Sequence, residues 1–402
     1  MRIPLLMFSL TLVGAPVVAS PAWRPDATRT VVSASWHRAV TQALPVRLDW
    51  QIAHAEAASL DLPLPDGRVV RAERRSVERR GDADWTWVGV FDGDAEQQVV
   101  LTRVGEHASA YLSLDSGIHE LTPTSDGPLL LKLDTDRFPG CGGALTPPAT
   151  ASADESPGTA VDPAEPTRTA ADLMDVLVVF SPGSVAQLGG QAQAQAFAQG
   201  AVDSSNQAFA NSQIKARFRL AGVRFTARAD SGNSSTDLTW LRGDSEVAAW
   251  RNETRADMVG LIAEFSNACG QGYLMGNPPG PGFAPNAFQV TARNCAIGNL
   301  SYAHEHGHNM GLQHNPENGS GPAYPYAFGH WVNGNFRTVM SYSNPCTSGC
   351  TRRPYFSNPA VSFNGAATGV ADQRDNARAI SNTARIVAGF RVGEVIFANG
   401  FD

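Results

Sequence analysis

The chain has 402 residues, more than one domain usually contains, so two folded units are the reasonable expectation. Hydrophobic residues make up 43% and charged residues 17% of the sequence, which is typical of a globular protein with a sizeable core. The net charge of -7 is spread along the chain, and this argues against the concentrated basic surface that nucleic-acid binding requires.

The N-terminal segment has the pattern of a secretory signal peptide. Met1-Arg2 gives it a positive start, residues 3–18 are mostly apolar, and Ala19-Ser20 offers small side chains for cleavage. A retained membrane anchor is the alternative, although the apolar run is barely long enough to span a bilayer. We predict that residues 1–20 are removed, and that the exported protein is a monomer that lies free of the membrane.

Residues 21–143 and the segment that follows them differ sharply in composition. Residues 85–91 and 98–103 have strand-like sequences bordered by turn residues, and no catalytic pattern occurs in this first part. Residues 144–171 are rich in Pro, Ala, Thr and acidic residues, and such a segment cannot offset the entropy cost of ordering it. We therefore predict a β-rich pro-domain at 21–143, followed by an exposed linker at 144–171 that contains the maturation cleavage site.

Residues 172–392 have the apolar and amphipathic segments of a second folded domain, which precedes a short tail at 393–402. Short apolar runs predict strands, and longer amphipathic runs predict helices. We expect strands at 174–180, 215–226, 258–265 and 288–293, helices at 185–211, 299–311 and 373–390, and a loop at 270–285. This succession predicts an α/β or α+β catalytic domain with a mixed sheet, whose exposed edge is residues 288–293.

The segment His304-Glu-His-Gly-His-Asn-Met-Gly-Leu-Gln-His314 indicates the chemistry. His304 and His308 are four residues apart, so one helical turn places both imidazoles on the same face, where they can bind one metal ion. Gly311 permits the left-handed backbone that ends the helix, and the chain can then bring back His314 as a third ligand. Three protein ligands and an open position are typical of catalytic zinc. Glu305 lies about a hundred degrees further round the helix, beside the metal.

Two histidines on a helix also occur by chance on protein surfaces, and this is the alternative interpretation. The longer pattern, with Gly311 and His314 both in register, favours a zinc site instead. His306 lies between two of the ligands in sequence and should point away from the metal.

The motif His-Glu-x-x-His-x-x-Gly-x-x-His, followed by Thr338-Val-Met-Ser-Tyr342, resembles the zinc signature and methionine turn of the metzincin peptidases. The resemblance implies a metzincin-like catalytic domain with a twisted mixed sheet and an active-site helix. It places Met340 beneath the three histidines. It also implies that Tyr342 lies beside the metal, where it can ligate resting zinc and later hydrogen-bond the oxyanion. A core tyrosine is the alternative.

The resemblance implies a mechanism in which zinc polarises the scissile carbonyl and acidifies its bound water. Glu305 would take the proton of that water and deliver it to the leaving amine. Polypeptides are the expected substrates, bound as an added antiparallel strand. One alternative is a zinc amidase that acts on cell-wall material. Another is a catalytically silent metzincin-fold binding protein, although such a protein would not need Glu305.

Within this superfamily, the Met-Ser-Tyr turn, the Cys346–Cys350 loop and residues 354–365 are most similar to the reprolysin-like bacterial enzymes. The nearest group is the peptidyl-Asp metalloendopeptidases, which implies a secreted bacterial enzyme, extracellular or periplasmic, that cleaves before acidic residues. An acidic preference requires a cation, and Arg matches a carboxylate better than Lys does. Arg352 and Arg353 follow the turn and Arg337 precedes it. We favour Arg352 or Arg353 for substrate binding, with surface arginines as the alternative.

The sequence contains five cysteines, and disulfides persist in exported proteins. The economical pairing is Cys269 with Cys295 and Cys346 with Cys350, which leaves Cys141 over. Cys141 lies just before the linker, and its thiolate can occupy the open position of zinc. This resembles the cysteine switch of other metzincin zymogens, without their Arg-Cys-Gly sequence. A free thiol, or a disulfide with a downstream cysteine, is the alternative.

Overall fold

The computed structural model describes residues 21–30, 37–148 and 172–391. The predicted signal peptide, residues 149–171 of the predicted linker and the predicted tail at 393–402 lie outside the described residues. Within the described ranges, no helix is both long enough and apolar enough to cross a membrane.

The N-terminal sheet has nine antiparallel strands in the order β1-β2-β9-β8-β7-β6-β5-β4-β3. The strands are β1 (Trp23–Pro25), β2 (Val40–Leu48), β3 (Ser59–Pro63), β4 (Val69–Gly81), β5 (Asp84–Phe91), β6 (Asp94–Val104), β7 (His107–Leu114), β8 (Gly117–Thr122) and β9 (Leu129–Leu133). Side chains of a strand alternate between its two faces, so Trp85 and Trp87 of β5 both enter one core, together with Trp23. A backbone bridge between Pro21 and Asp61 joins the two ends of the sheet, which therefore curves round on itself.

The C-terminal sheet has six strands in the order β10-β14-β15-β13-β11-β12. They are β10 (Ala144–Leu145), β11 (Leu173–Phe180), β12 (Arg217–Phe225), β13 (Met258–Ala263), β14 (Gly270–Tyr273) and β15 (Phe288–Ala292). Strands β11, β12, β13 and β15 are mutually parallel, whereas β14 is antiparallel to β15. The mixed sheet that the sequence predicted is therefore present, and β10, from the N-terminal part of the chain, adds to it outside β14.

The prediction that residues 288–293 form the sheet edge was wrong. Strand β15 is an inner strand, because β13 pairs on one side of it and β14 on the other. Strand β14 falls within the segment predicted to be a loop, because Gly270 and Gly272 give it the composition of a loop. The edge of this domain's own strands is therefore β14, and the chain segment that contains β10 covers it.

Within the described residues 172–391 there are six α-helices: α1 (Pro182–Leu188), α2 (Gln191–Asn211), α3 (Ser234–Gly243), α4 (Ser245–Thr254), α5 (Ser301–Asn309) and α6 (Asn376–Val387). The predicted single helix at 185–211 is two helices, because Gly189 and Gly190 have φ of 96° and 136° and end α1. Helices α5 and α6 confirm the last two predicted helices. The sequence did not indicate α3 and α4.

Two small sheets follow α5. The first is β16 (Trp331–Val332), β17 (Phe336–Arg337) and β18 (Thr351–Arg352), and the second is β19 (Ser362–Phe363) and β20 (Ala366–Ala367). Strands β17 and β18 are parallel, and Arg337 and Arg352 are partners in their register.

Helix α2 lies between the two large sheets and contacts β6 and β7 on one side and β12 on the other. Its buried Asp203 accepts hydrogen bonds from Thr86 and Thr102 of the N-terminal sheet. Gly200 permits close contact, since a Cβ at this position would lie 1.9 Å from Ser109 Oγ. The apolar core of the C-terminal sheet also includes Tyr111 and other residues of the N-terminal part, namely Ala39, Ile118, Leu133 and Phe138. The two sheets are therefore packed as one body.

The disulfides confirm the predicted pairing. Cys269 is bonded to Cys295 and Cys346 to Cys350. Cys141 is a free thiol, so the alternative of a disulfide with a downstream cysteine is excluded.

The buried carboxyl of Glu120, on β8, makes the stability of this packing depend on pH. Its Oε2 accepts a hydrogen bond from the Gly298 amide at 2.8 Å, and burial raises its pKa from 4.5 to about 7. The folded chain therefore binds this proton more tightly than the unfolded chain, and stability falls as the pH rises through this interval. Glu120→Gln keeps the acceptor and removes the titration.

We expect the unfolding free energy of Glu120→Gln to gain about 3 kcal/mol relative to the unmodified chain between about pH 4 and pH 8. Urea unfolding of the full chain across this range measures the difference, with the exposed Glu106→Gln as control. A difference that does not change with pH would show that the pKa of Glu120 is not raised by folding.

Candidate metal centre

The metal centre begins with α5 and the turn that ends it. Residues 304 to 308 lie within the helix, and every one of them is buried. The helix ends at Asn309, and Gly311, at φ 87°, turns the chain into the left-handed region. This turn brings His314 back against the helix, so that the rings of His304 and His314 stack with centroids 5.1 Å apart.

Backbone carbonyls orient the three imidazoles. Nδ1 of His304 donates to the Val339 carbonyl at 2.8 Å, and Nδ1 of His308 donates to the Leu312 carbonyl at 2.8 Å. Nδ1 of His314 lies 3.4 Å from the Asn318 carbonyl. A carbonyl can only accept, so each Nδ1 carries the hydrogen and each Nε2 keeps its lone pair. The Nε2 atoms face one another, and those of His304 and His314 are 3.2 Å apart.

These residues fit a zinc ion. Burial lowers the pKa of all three imidazoles, so each remains neutral and able to ligate. Cys141 Sγ approaches the same point, 3.7 Å from His308 Nε2, and the four ligand atoms all lie within 4.8 Å of one another. Three imidazole nitrogens and one sulfur are a tetrahedral donor set that zinc accepts.

Glu305 lies beside this cluster without joining it. Its Oε2 accepts a hydrogen bond from Cys141 Sγ at 3.3 Å, whereas Oε1 has no hydrogen-bond partner among the described residues. Strand β14 packs directly on it, since a Cβ at Gly270 would lie 2.5 Å from Glu305 Cγ and one at Gly272 would lie 2.8 Å from its carbonyl oxygen. Neither glycine was among the predicted site residues. The Gly-Gln-Gly pattern after Cys269 was the available signal, because glycine in a strand often marks such an approach.

The methionine turn lies beneath the histidines. Met340 is fully buried, and its Sδ packs under Gly307 of α5. Tyr342 has its ring 4.1 Å from the ring of His314, and its hydroxyl donates to the Cys141 carbonyl at 3.0 Å. Both residues therefore lie at the site where the resemblance placed them, and Tyr342 is not a core tyrosine. His306 points away, toward Asn309.

Residues 134–148, here called the crossing segment, run from the N-terminal sheet over this site. Strand β10 lies parallel to β14, with Ala144 opposite Gly272. The Gly142 amide donates to the Gly270 carbonyl at 2.7 Å, and the Cys269 amide donates to the Gly140 carbonyl at 2.9 Å. These main-chain bonds on both sides of Cys141 hold its thiol over the three imidazoles.

The three arginines considered for substrate binding have different surroundings. Arg352 is buried near the site and donates to the carbonyls of Asn299 and Ser341 at 2.9 and 3.1 Å. The structure does not bring Arg353 to the site, because its guanidinium donates to Ser113 and the Leu114 carbonyl of the N-terminal sheet. Arg337 lies on the same side as Arg352.

A buried set of three neutral imidazoles beside a carboxylate, with a thiol at the remaining position, is typical of a latent zinc-dependent hydrolase. Comparison with known sequences is more specific. A family model described as Metallo-peptidase family M12 matches residues 172–357. The chain is 30% identical to a peptidyl-Asp metalloendopeptidase of Stenotrophomonas maltophilia (strain R551-3), over 94% of this chain and 96% of that protein. It is also 30% identical to a protein of the same name from Xanthomonas campestris, over 83% and 82% of the two chains.

The chain therefore belongs to the family of the peptidyl-Asp metalloendopeptidases, and its residues 172–357 match the M12 metallopeptidases. It is a zinc-dependent metalloendopeptidase.

Loss of one imidazole should abolish tight zinc binding. We expect His308→Ala to lower zinc affinity roughly 100-fold or more, because the remaining donors no longer surround the ion. Equilibrium dialysis against a zinc buffer, followed by elemental analysis of the full chain, measures this. The exposed His54→Ala is the matched control. Equal zinc content in the two variants would place the metal elsewhere.

Proposed function

We propose that this protein is a secreted zymogen whose zinc endopeptidase cuts polypeptides on the N-terminal side of Asp or Glu. The observation that carries the proposal is the position of Cys141, whose thiol faces the three Nε2 atoms while its own segment covers the edge strand. The names of the relatives support the acidic preference, and the buried arginines near the site are chemically suited to it.

We assign His304, His308 and His314 as the zinc ligands and Glu305 as general base and acid. Zinc, when bound, polarises a carbonyl and lowers the pKa of water, which makes that water a stronger nucleophile. The Glu305 carboxylate accepts the proton of the attacking water and returns it to the departing amine, and its unpartnered Oε1 is available for this transfer.

Tyr342 and strand β14 position the substrate. The Tyr342 hydroxyl donates to the Cys141 carbonyl in this structure, and the same hydrogen would bind the oxygen of a scissile carbonyl. A substrate would pair with β14 as an added antiparallel strand. Met340 supports the histidines from below and takes no part in the reaction.

Latency follows from two properties of the crossing segment. The Cys141 sulfur occupies the fourth position of the donor set, where the attacking water would have to lie. The segment runs parallel to β14, opposite to the proposed substrate direction, so its own peptide bonds are presented the wrong way round for cleavage. Cleavage in residues 149–171 would release it, together with the N-terminal sheet.

The first experiment maps cleavage sites. The full chain, matured by limited proteolysis in the linker, is incubated with an unfolded protein mixture, and new termini are identified by mass spectrometry with and without a zinc chelator. We expect chelator-sensitive cuts that precede Asp or Glu, and a decrease of about 10²- to 10⁴-fold for Glu305→Gln, which keeps the zinc ligands. Glu106→Gln is the control.

Cuts before apolar residues would refute the acidic preference, but the proposed endopeptidase activity would stand. Full cleavage by Glu305→Gln would refute the role of that carboxylate. No cuts at all from a zinc-loaded, matured protein would favour a silent binding protein.

The switch is tested in the intact precursor. We expect Cys141→Ser to cleave a peptide substrate more than about tenfold faster than the unmodified precursor, because a neutral hydroxyl binds zinc far more weakly than a thiolate. Ser125→Ala, an exposed change in the N-terminal part, should remain latent. If the Cys141→Ser precursor were as latent as the unmodified chain, the thiol would not be the switch.

A further inference from the structure

A partly open cavity of about 180 Å³ lies beside the metal centre. Tyr342 of the methionine turn and Gly140, the residue before Cys141, line it at the metal side. Arg337 and Arg352 also line it, together with Thr135. The crossing segment that covers the three imidazoles therefore forms part of the cavity wall, directly before Cys141.

Both arginines are directed into this cavity by the pairing of β17 with β18. They are partners in a parallel register, and paired residues of neighbouring strands point to the same face of the sheet. Arg337 is 3% and Arg352 6% exposed, and the Nε of each has no hydrogen-bond partner among the described residues. Two buried guanidinium groups side by side require a negative partner, because a buried unpaired charge is costly.

In this structure the crossing segment supplies that partner. Asp136 Oδ1 accepts a hydrogen bond from Arg337 Nη1, and the Thr135 carbonyl accepts one from Arg337 Nη2 at 2.9 Å. Thr135 Oγ1 accepts a further bond from the Arg352 amide at 3.1 Å. The carboxylate that neutralises the cavity therefore comes from the part of the chain that maturation is proposed to remove.

The two arginines differ in what holds them. Nη1 and Nη2 of Arg352 donate to the carbonyls of Asn299 and Ser341, which belong to the catalytic domain and remain after maturation. Arg337 keeps only the Cys350 carbonyl as a partner of Nη1, and loses Asp136 and Thr135. The donors that become available are therefore those of Arg337, whereas Arg352 adds positive charge from a fixed position.

The direction of the crossing segment identifies the substrate position. Residues after Cys141 pair with β14, so residues 135–140 lie on the other side of the metal centre. A substrate running antiparallel to β14 places the residues that follow the scissile bond on that same side. The cavity therefore receives the side chain directly after the cleaved bond.

We propose that Arg337 is the residue that selects an acidic side chain after the scissile bond. In the precursor, the Asp136 carboxylate occupies the position of that substrate side chain. This inference rests on the proposed endopeptidase function and deepens it. The substrate class is polypeptides in which Asp or Glu follows the cleaved bond. Arg337 contacts the substrate side chain in a charge-assisted hydrogen bond, and it takes no part in bond cleavage.

The test uses two peptides that differ only in the residue after the scissile bond, Asp in one and Asn in the other. The matured full chain is compared with Arg337→Gln, Arg337→Lys and the exposed control Arg378→Gln, and kcat/KM is measured for each peptide. We expect the Asp-to-Asn ratio of the unmodified enzyme to fall roughly 30-fold or more in Arg337→Gln, with the Asn peptide still cleaved. Arg337→Lys keeps the positive charge but loses the two parallel N–H donors of the guanidinium, so its Asp-to-Asn ratio should be intermediate. Arg378→Gln should retain the full ratio.

A full Asp preference in Arg337→Gln would overturn the assignment of Arg337 and leave the proposed function intact. If Arg337→Gln does not fold, the assignment is tested with Arg337→Lys alone. An undiminished Asp-to-Asn ratio of kcat/KM in that variant overturns the assignment. Equal cleavage of both peptides by the unmodified enzyme is a different failure, because it would refute the acidic preference itself.

Discussion

Three imidazoles can share one metal ion only when each ring is fixed in one tautomer and one orientation, and a buried ring is fixed by the partner of its second nitrogen. In this chain the carbonyls of Val339 and Leu312 hold His304 and His308. The first carbonyl belongs to the methionine turn and the second to the turn after Gly311. Helix α5 therefore has to be in register with both turns. Met340 packs so closely against Gly307 that the helix has little room to shift along its axis. The rest of the C-terminal domain maintains that register.

The N-terminal sheet meets this domain through polar groups that are satisfied only in the assembled chain. Asp203 needs the hydroxyls of Thr86 and Thr102, and Arg353 needs Ser113. Buried polar groups of this kind are costly when unpaired, so they specify one docking geometry. That geometry sets where the crossing segment arrives, and so places the Cys141 thiol within reach of His308 Nε2.

The parts of this structure that sequence could predict are those fixed by short-range spacing. The positions of His304, His308 and His314 follow from the helical repeat and one glycine turn, and the Cys346–Cys350 pairing follows from proximity in sequence. The edge strand was not predicted, because glycines are also typical of loops, and contact with Glu305, a residue distant in sequence, is what requires Gly270 and Gly272. The choice between Arg352 and Arg353 depends on distant partners, because Arg352 donates to Asn299 and Ser341, whereas Arg353 donates to Ser113 of the N-terminal sheet. The partnership of Arg337 with Arg352 depends on a pairing across fourteen intervening residues that no local pattern reveals.

The apolar core that crosses the boundary between the two sheets has a thermodynamic consequence. Tyr111, Ile118 and Leu133 of the N-terminal sheet belong to the same buried cluster as the strands beside the metal centre. A domain boundary normally separates two cores, and each then melts by itself. Here the first sheet completes the core of the second, so the precursor is one cooperative unit. If the proposed maturation removes the first sheet, the catalytic domain would have to keep its native state without part of the surface on which it was assembled. Its persistence would then depend on the height of the barrier to unfolding, which is kinetic stability.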